Sequence, residues 1–276
     1  MVEQPAQDAA VKRRRERSLA WEFRHLVPMV AIAIAALAIW ELIFRSGIWG
    51  FLFPGPTEVA RALVDFWNST RLSLIRAIFA TLRRLAVGFL ISLVLGALLA
   101  FLMVRFTTFG KGIQPYILGL QTFPSIAWVP LSLIWFGFSE TTLLFVTIIG
   151  SVFGVSISFA DALRTVPPVY LQAARNMGSD GMDLILRVTV PAALPHLISA
   201  AKVGWSFAWR SLIGAEIIFA TVGLGFLLNT RASVPDIAGV MGVMLVILVI
   251  GIVVDQLVFT KTQEWASRRR GLRPRG

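Results

Sequence analysis

The chain has 276 residues, 57% of them hydrophobic and 15% charged, with a mean hydropathy of +0.76. A soluble domain carries about 25% charged residues, so this chain has too few to cover a water-facing surface, and its apolar content excludes disorder. There is no cysteine, which excludes disulfides, thiolate metal centres and cysteine nucleophiles; in so apolar a chain the net charge of +11 points first to membrane topology.

A spanning helix needs about 20 mostly apolar residues. Residues 1–25 form a basic tail with Lys12, Arg13, Arg14, Arg15, Arg17 and Arg24. The first span is expected at 26–44; it is longer than a typical signal-peptide core, and no A-x-A cleavage site follows it. Residues 45–76 read as a connecting loop. Pro54, Gly55 and Pro56 break the chain there, and a short amphipathic helix over 57–67 follows, with Thr57 as its candidate cap. The second span is expected near 77–104, where Gly88, Ser92 and Gly96 recur every four residues and form a packing face. The third lies near 113–136, interrupted by Pro124 and Pro130, and the fourth near 142–160. Thr147, Ser151, Gly154 and Ser158 give the fourth span a packing face of its own. After a polar loop at 161–191, the fifth span is expected near 194–220 and the sixth near 237–259. Residues 77–260 thus form the core, and 261–276 a second basic tail. Trp21, Trp40, Trp49 and Trp265 read as interfacial anchors.

Six spans put both termini on one side. Of the 26 Lys and Arg residues, 17 fall in the two tails and in the 105–112 and 161–191 loops, against five on the other face. Lys and Arg mark cytoplasmic loops. The expected location is therefore the bacterial cytoplasmic (inner) membrane, multi-pass, with both termini and the 161–191 loop in the cytoplasm. The basic excess is an orientation signal, and nucleic acid is not an expected partner.

In the 161–191 loop, Pro167 and Pro168 stop the incoming helix, 169–177 can form a short helix, and Gly178 permits a sharp exit. Residues 183–190 are helix-compatible and are expected to end at Pro191. The segment Gln172-Ala173-Ala174, then Gly178, then Val188-Thr189-Val190-Pro191 resembles the EAA loop of ABC importer permeases, in which E-A-A, three residues, G, nine residues and I-x-L-P follow one another. The spacing fits throughout, with Gln172 in place of Glu, Val188 of Ile and Val190 of Leu. Residues 120–137 and 209–224 resemble the nitrate, taurine and alkanesulfonate permeases, and the likeness covers roughly residues 75 to 265.

That resemblance implies an all-α integral membrane protein of the ABC importer type I permease fold, with six spans and a cytoplasmic coupling helix. Tyr170, Gln172, Ala173, Ala174, Gly178 and Pro191 would couple the spans to cytoplasmic ABC ATPase subunits. A second permease copy would complete a homodimer, and an extracytoplasmic solute-binding protein would deliver a small anion such as an organosulfonate, taurine or nitrate. ATP and Mg would be bound by the partner ATPase, since no phosphate-cradling G-x-x-x-x-G-K-S or -T sequence occurs here; the only Gly-Lys pair, Gly110-Lys111, is followed by Gly112.

Ionisable residues within spans are costly and mark function. At about 100° per residue, Lys202, Trp205, Ser206, Trp209 and Glu216 share a face of the fifth span, with Arg210 at its edge. Gln114, Gln121, Ser125, Trp128 and Ser132 share one on the third. These two faces are expected to line a translocation pathway, with Arg210 drawing an anion inward. The rival readings are a secondary transporter or channel, which leaves the EAA-type spacing unused, and an intramembrane enzyme. The second is disfavoured: the only histidines are His25 and His196, and neither H-E-x-x-H nor G-x-S-x-G occurs.

Overall fold

Proline and glycine set where the helices of this chain stop, bend and touch. The computed structural model describes residues 28, 30–48 and 50–268, which are helical with no strand among them. The basic ends at 1–25 and 269–276, with Trp21, lie outside the described residues, as does Trp49. The chain divides into two compact units, 1–64 and 65–276.

In the first unit, α1 covers residues 30–45. The indole of Trp40 donates to the Pro54 carbonyl at 3.0 Å, and its ring meets Phe53 edge-on. Helix α2, Pro56–Arg105, begins with Pro56 in its first turn, where the missing N–H is harmless. Glu58 reaches back to accept the Gly55 N–H at 3.1 Å, as in a capping box. The cap is thus built from Gly55 and Glu58 and not from Thr57. The expected short amphipathic helix and second span are one 50-residue helix. No Pro or Gly lies between Pro56 and Gly88, so nothing in the sequence stops it.

In the second unit, α3 is Thr107–Thr122, α4 is Val129–Phe136 after a 3-10 turn at Ser125–Trp128, and α5 is Glu140–Arg164. The third span, expected near 113–136 with interruptions at Pro124 and Pro130, is a broken pair bent by 91°. Pro124 causes the bend: it forces Phe123 into extended backbone (φ −67°, ψ 129°) and cannot donate to the α3 ladder. Pro130 falls in the first turn of α4 and is tolerated there.

Short helices α6 (Pro168–Asn176) and α7 (Gly181–Leu184) precede α8 (Val190–Phe219). The helix does not end at Pro191 as expected. A π turn over Ile185–Thr189 shifts the hydrogen-bond register just before the proline, and Gly181–Phe219 runs through as one spanning helix. After α9 (Leu224–Ser233), α10 (Ile237–Val254) continues through a second π turn, Asp255–Thr260, into α11 (Lys261–Arg268). The start of the expected second tail is thus helical.

Among the described residues, four helices are long and apolar enough to cross a membrane: Leu74–Arg105, Glu140–Arg164, Gly181–Phe219 and Ile237–Ala266. The bent α3–α4 pair makes five if it counts as one. The expected first span, at 26–44, begins outside the described residues.

The expected small-residue faces meet. A Cβ on Gly88 would lie 2.8 Å from Thr147, and one on Gly96 2.6 Å from Val155. Between them the Ser151 hydroxyl donates to Ser92 at 2.7 Å. Gly154 sits against the Phe207 ring of α8. Close backbone approach of α2, α5 and α8 thus comes from small residues, as membrane helices require. Gly96→Leu is expected to cost about 1–3 kcal/mol of packing and to lower the thermal midpoint of the detergent-solubilised protein. Gly112→Ala, with nothing within 4 Å of its new methyl, leaves that midpoint unchanged.

Candidate functional site

At one end of the second unit a single guanidinium ties four segments. The Arg84 side chain, on α2, is 4% exposed and donates four hydrogen bonds. Nε reaches Glu140 of α5 at 2.9 Å, Nη2 reaches the other oxygen of that carboxylate, and Nη1 reaches Glu216 of α8 at 2.8 Å. Nη1 also donates to the Val222 carbonyl in the loop before α9. Arg83 adds a second cation to Glu140 at 3.1 Å.

Glu216 is fully buried. Besides Arg84 it accepts from the Thr81 hydroxyl, 2.9 and 2.8 Å from its two oxygens, and from the Gly225 N–H at 3.1 Å. Thr81 in turn accepts the Leu224 N–H at 2.9 Å. The glycines of the 223–225 turn are needed for this approach. A Cβ on Gly223, which sits at φ +151°, would lie 2.5 Å from the Glu216 carboxylate, and one on Gly225 2.6 Å from its Cβ. Their role is close contact with the acid, not loop freedom.

Helical spacing is the ground on which Glu216 is expected on a pathway face. In the structure Arg84 and Thr81 enclose its carboxylate, so it serves as an anchor. Spacing does not single out Arg84, Thr81 or Glu140. The available signal is an arginine and a glutamate each placed within an apolar span, where charges need partners.

Trp205 and Trp209 stack at 6.3 Å and 13° along α8, and Trp205 also meets Phe89 and Phe259. Ser206 and Arg210 are exposed beside them. The Arg210 guanidinium lies 5.0 Å from the Phe207 ring, its Nε donates to the Ser206 carbonyl at 3.2 Å, and among the described residues no carboxylate pairs with it. Lys202 differs: its Nζ lies 2.9 Å from Asp255 and ties α8 to the second π turn. Nothing in the sequence pattern names Asp255 as that partner.

The expected stripe on the third span is divided by the bend at Pro124. Gln121 remains on α3, half-buried, with a side-chain oxygen that has no hydrogen-bond partner among the described residues. Ser125 and Trp128 sit on the 3-10 turn. Ser125 approaches Gly150 of α5, and Trp128 meets Phe123 edge-on at 5.5 Å. Ser132 is fully buried, bonded to the Val129 carbonyl. The structure therefore keeps Trp205, Ser206, Trp209 and Arg210 together and separates Gln121 from Ser125 and Trp128.

About 37 Å from Glu140, by the rise of the 25-residue α5, α6 caps the other end. Pro168 opens it in the first helical turn, and Gly178 at φ +85° closes it. Ala174 is buried, and Leu171 packs on Leu163, Val166 and Ala193 at the ends of α5 and α8. The far side is bare: Val169, Tyr170, Gln172, Ala173 and Met177 are exposed, Met177 to 82%. Ser179 donates to Asp183 at 2.7 Å, and Asp183 pairs with Arg187 at 2.6 Å, which braces the turn into α7. Pro191 lies exposed where the π turn meets α8.

Residues 92–260 match the family described as binding-protein-dependent transport system inner membrane component. A Methanocaldococcus jannaschii protein that carries the name of an ABC transporter permease is 29% identical over 236 residues, covering 84% of this chain and 88% of its own. The nitrate import permease protein of Synechococcus elongatus is 28% identical over 258 residues, covering 88% of this chain and 92% of its own. The inward-facing MetNI methionine ABC transporter matches with a TM-score of 0.64 at 20% identity, over 71% of this chain and 96% of that one. This last likeness shows the fold, which is that of a type I ABC importer permease.

Removing one partner of a buried ion pair costs about 3–5 kcal/mol because the other charge is left uncompensated. Arg84→Met is accordingly expected to lower thermal stability sharply. Arg84→Met combined with Glu216→Gln is expected to be more stable than Arg84→Met alone, as a double-mutant cycle in detergent would read. Additive losses would contradict the pairing.

Proposed function

The chain belongs to the family of binding-protein-dependent inner membrane components, the permease subunits of ABC importers, and we propose that it carries a small oxyanion and takes its drive through α6. Membership implies an ABC ATPase and a solute-binding protein as partners. The observation that carries the coupling reading is the bare outer face of α6. Val169, Tyr170, Ala173 and Met177 leave apolar and small side chains exposed, while Ala174 is buried and Leu171 fixes the same helix to the ends of α5 and α8. A cleft of an ATPase subunit is the natural occupant. Movement of that subunit on binding Mg-ATP would push α6 and, through it, both spans. Gln172 lies on the exposed side, so its lost charge relative to the motif alters only what it offers the partner.

In this reading two copies of the chain face each other across the pathway, and the α6 end lies in the cytoplasm. The basic tails and the Arg and Lys of the adjoining loops support that orientation. Arg210 supports the anion: a guanidinium on a spanning helix, next to two tryptophans and without a carboxylate among the described residues, suits nitrate or sulfonate oxygens. Nitrate import by a relative agrees with this class. Lys202, paired with Asp255, shapes the pathway wall through α8 and the π turn that follows α10.

The test is uptake into proteoliposomes that hold the permease, its ATPase and its binding protein, with nitrate and taurine as probes. Ala173→Asp, on an exposed position, is expected to lower ATP-driven uptake at least tenfold without changing thermal stability. Arg210→Ala is expected to lower uptake of the transported anion at least tenfold, with part of it retained in Arg210→Lys. Unchanged uptake in Arg210→Ala would remove the anion role, and unchanged uptake in Ala173→Asp the coupling role.

A further inference from the structure

Between α6 and the ends of the spans lies a cavity of about 430 Å³ that the importer cycle described above does not use. Its volume falls within the range of small-ligand sites. One wall is apolar, from Val104, Leu163, Leu171 and Leu184. The other carries Arg105 at the last residue of α2, Arg164 at the last residue of α5, and Arg175 in the last turn of α6, with Asp180 as the one acid. An adjoining cavity of about 370 Å³ shares Val104 and Arg164 and adds Lys111 and Gln114.

These cations are poorly compensated. Arg164 holds Asp161 at 3.4 Å and Gln114 at 3.5 Å, both long contacts. Arg105 rests on the Phe106 ring at 5.4 Å. Among the described residues no carboxylate pairs with Arg105, Lys111 or Arg175. Three arginines from three helix ends thus line one cavity with a single carboxylate, Asp180, and Lys111 at the start of α3 lines the adjoining one. The tight turn from α2 to α3 fixes part of this arrangement, because Gly110 lies directly against the Met103 carbonyl, where a Cβ has no room.

We propose that this cavity binds a phosphate group, with Arg105, Arg164 and Arg175 as its donors, and that its occupant bridges the span ends to α6. The apolar wall and the position at span ends suit the headgroup of an anionic phospholipid, because basic pockets between spans at the cytoplasmic face take such headgroups; inorganic phosphate offers the same oxygens without the tail. Arg forks match phosphate oxygens in pairs. Since Arg175 belongs to α6 while Arg105 and Arg164 belong to the spans, occupancy stiffens the joint through which the ATPase would act. That consequence rests on the coupling reading, and the lipid assignment on the cytoplasmic orientation given with it; the binding of a phosphate group rests on neither.

The experiment reads binding alone. Full-length permease, stripped of lipid in detergent, is titrated with phosphatidylglycerol, phosphatidylcholine or inorganic phosphate, and retention is followed by native mass spectrometry and by the thermal midpoint. The expected result is preferential retention of phosphatidylglycerol, weakened at least tenfold in Arg105→Gln/Arg175→Gln and unchanged in Arg76→Gln. If excess inorganic phosphate displaces the lipid, or raises the midpoint in wild type and not in the double variant, the site is supported with the free anion as its ligand. Equal retention of both lipids with no phosphate effect, or equal binding by wild type and the double variant, overturns the proposal. Neither result depends on uptake, so a failed coupling reading leaves the measurement interpretable.

Discussion

The Arg84 guanidinium is the contact on which the second unit depends. It sits on a spanning helix with almost no access to water, and it can exist there as a cation only because two carboxylates and a carbonyl meet it. Each partner comes from a different segment: Glu140 from the start of α5, Glu216 from near the end of α8, Val222 from the loop that leads to α9. A charge that must be satisfied therefore dictates that these segments converge. Such a pair contributes little net stability over an apolar substitute, but it penalises every arrangement that separates its members. It specifies which helix ends meet, and the small-residue seam from Gly88 to Gly96 then closes the helices along their length.

The two ends of α5 differ in kind. At the Glu140 end Arg84, Thr81 and Glu216 are buried and mutually satisfied, and glycines 223 and 225 hold the backbone against the Glu216 carboxylate. At Arg164 the helix ends in a joint built of a short helix, a left-handed glycine and a π turn, with poorly compensated cations around a cavity. The first arrangement resists relative movement, and the second tolerates it. An ATPase that pushes on α6 would meet the yielding end, and α5 and α8, packed together through Gly154 and Gly204, would carry the displacement as rigid bodies toward the fixed one.

Local patterns are legible in the amino-acid sequence. The small residues of α2 and α5, spaced by three or four, the helix limits around Pro167, Pro168 and Gly178, and the EAA-type spacing are each written in a few adjacent residues. The bend at Pro124 is half legible: the proline announces a break, but its size depends on what α3 and α4 pack against. Pairings across the chain are not legible. Arg84 and Glu216 lie 132 residues apart, and helical periodicity says which face a residue occupies, not which helix it faces. For that reason the angle of Glu216 assigns it to the pathway, while its partners place it in the anchor. Lys202 and Asp255 repeat the lesson, with the π turn adding a register shift that ideal helix geometry does not contain. The continuation of the helix through Pro191 has the same origin.

The central claim is that α6 is the surface through which an ATPase drives this permease, and the absence of native cysteine makes a direct measurement possible. Met177→Cys, then the only thiol in the chain, is labelled with a photoreactive maleimide in vesicles that contain the assembled transporter and is illuminated with and without ATP. The account predicts an adduct with the ATPase subunit from Met177→Cys, with a yield that changes on ATP binding, and none from Phe138→Cys at the opposite end of the unit. An active transporter that gives no adduct at residue 177, or the same adduct from both positions, would contradict it.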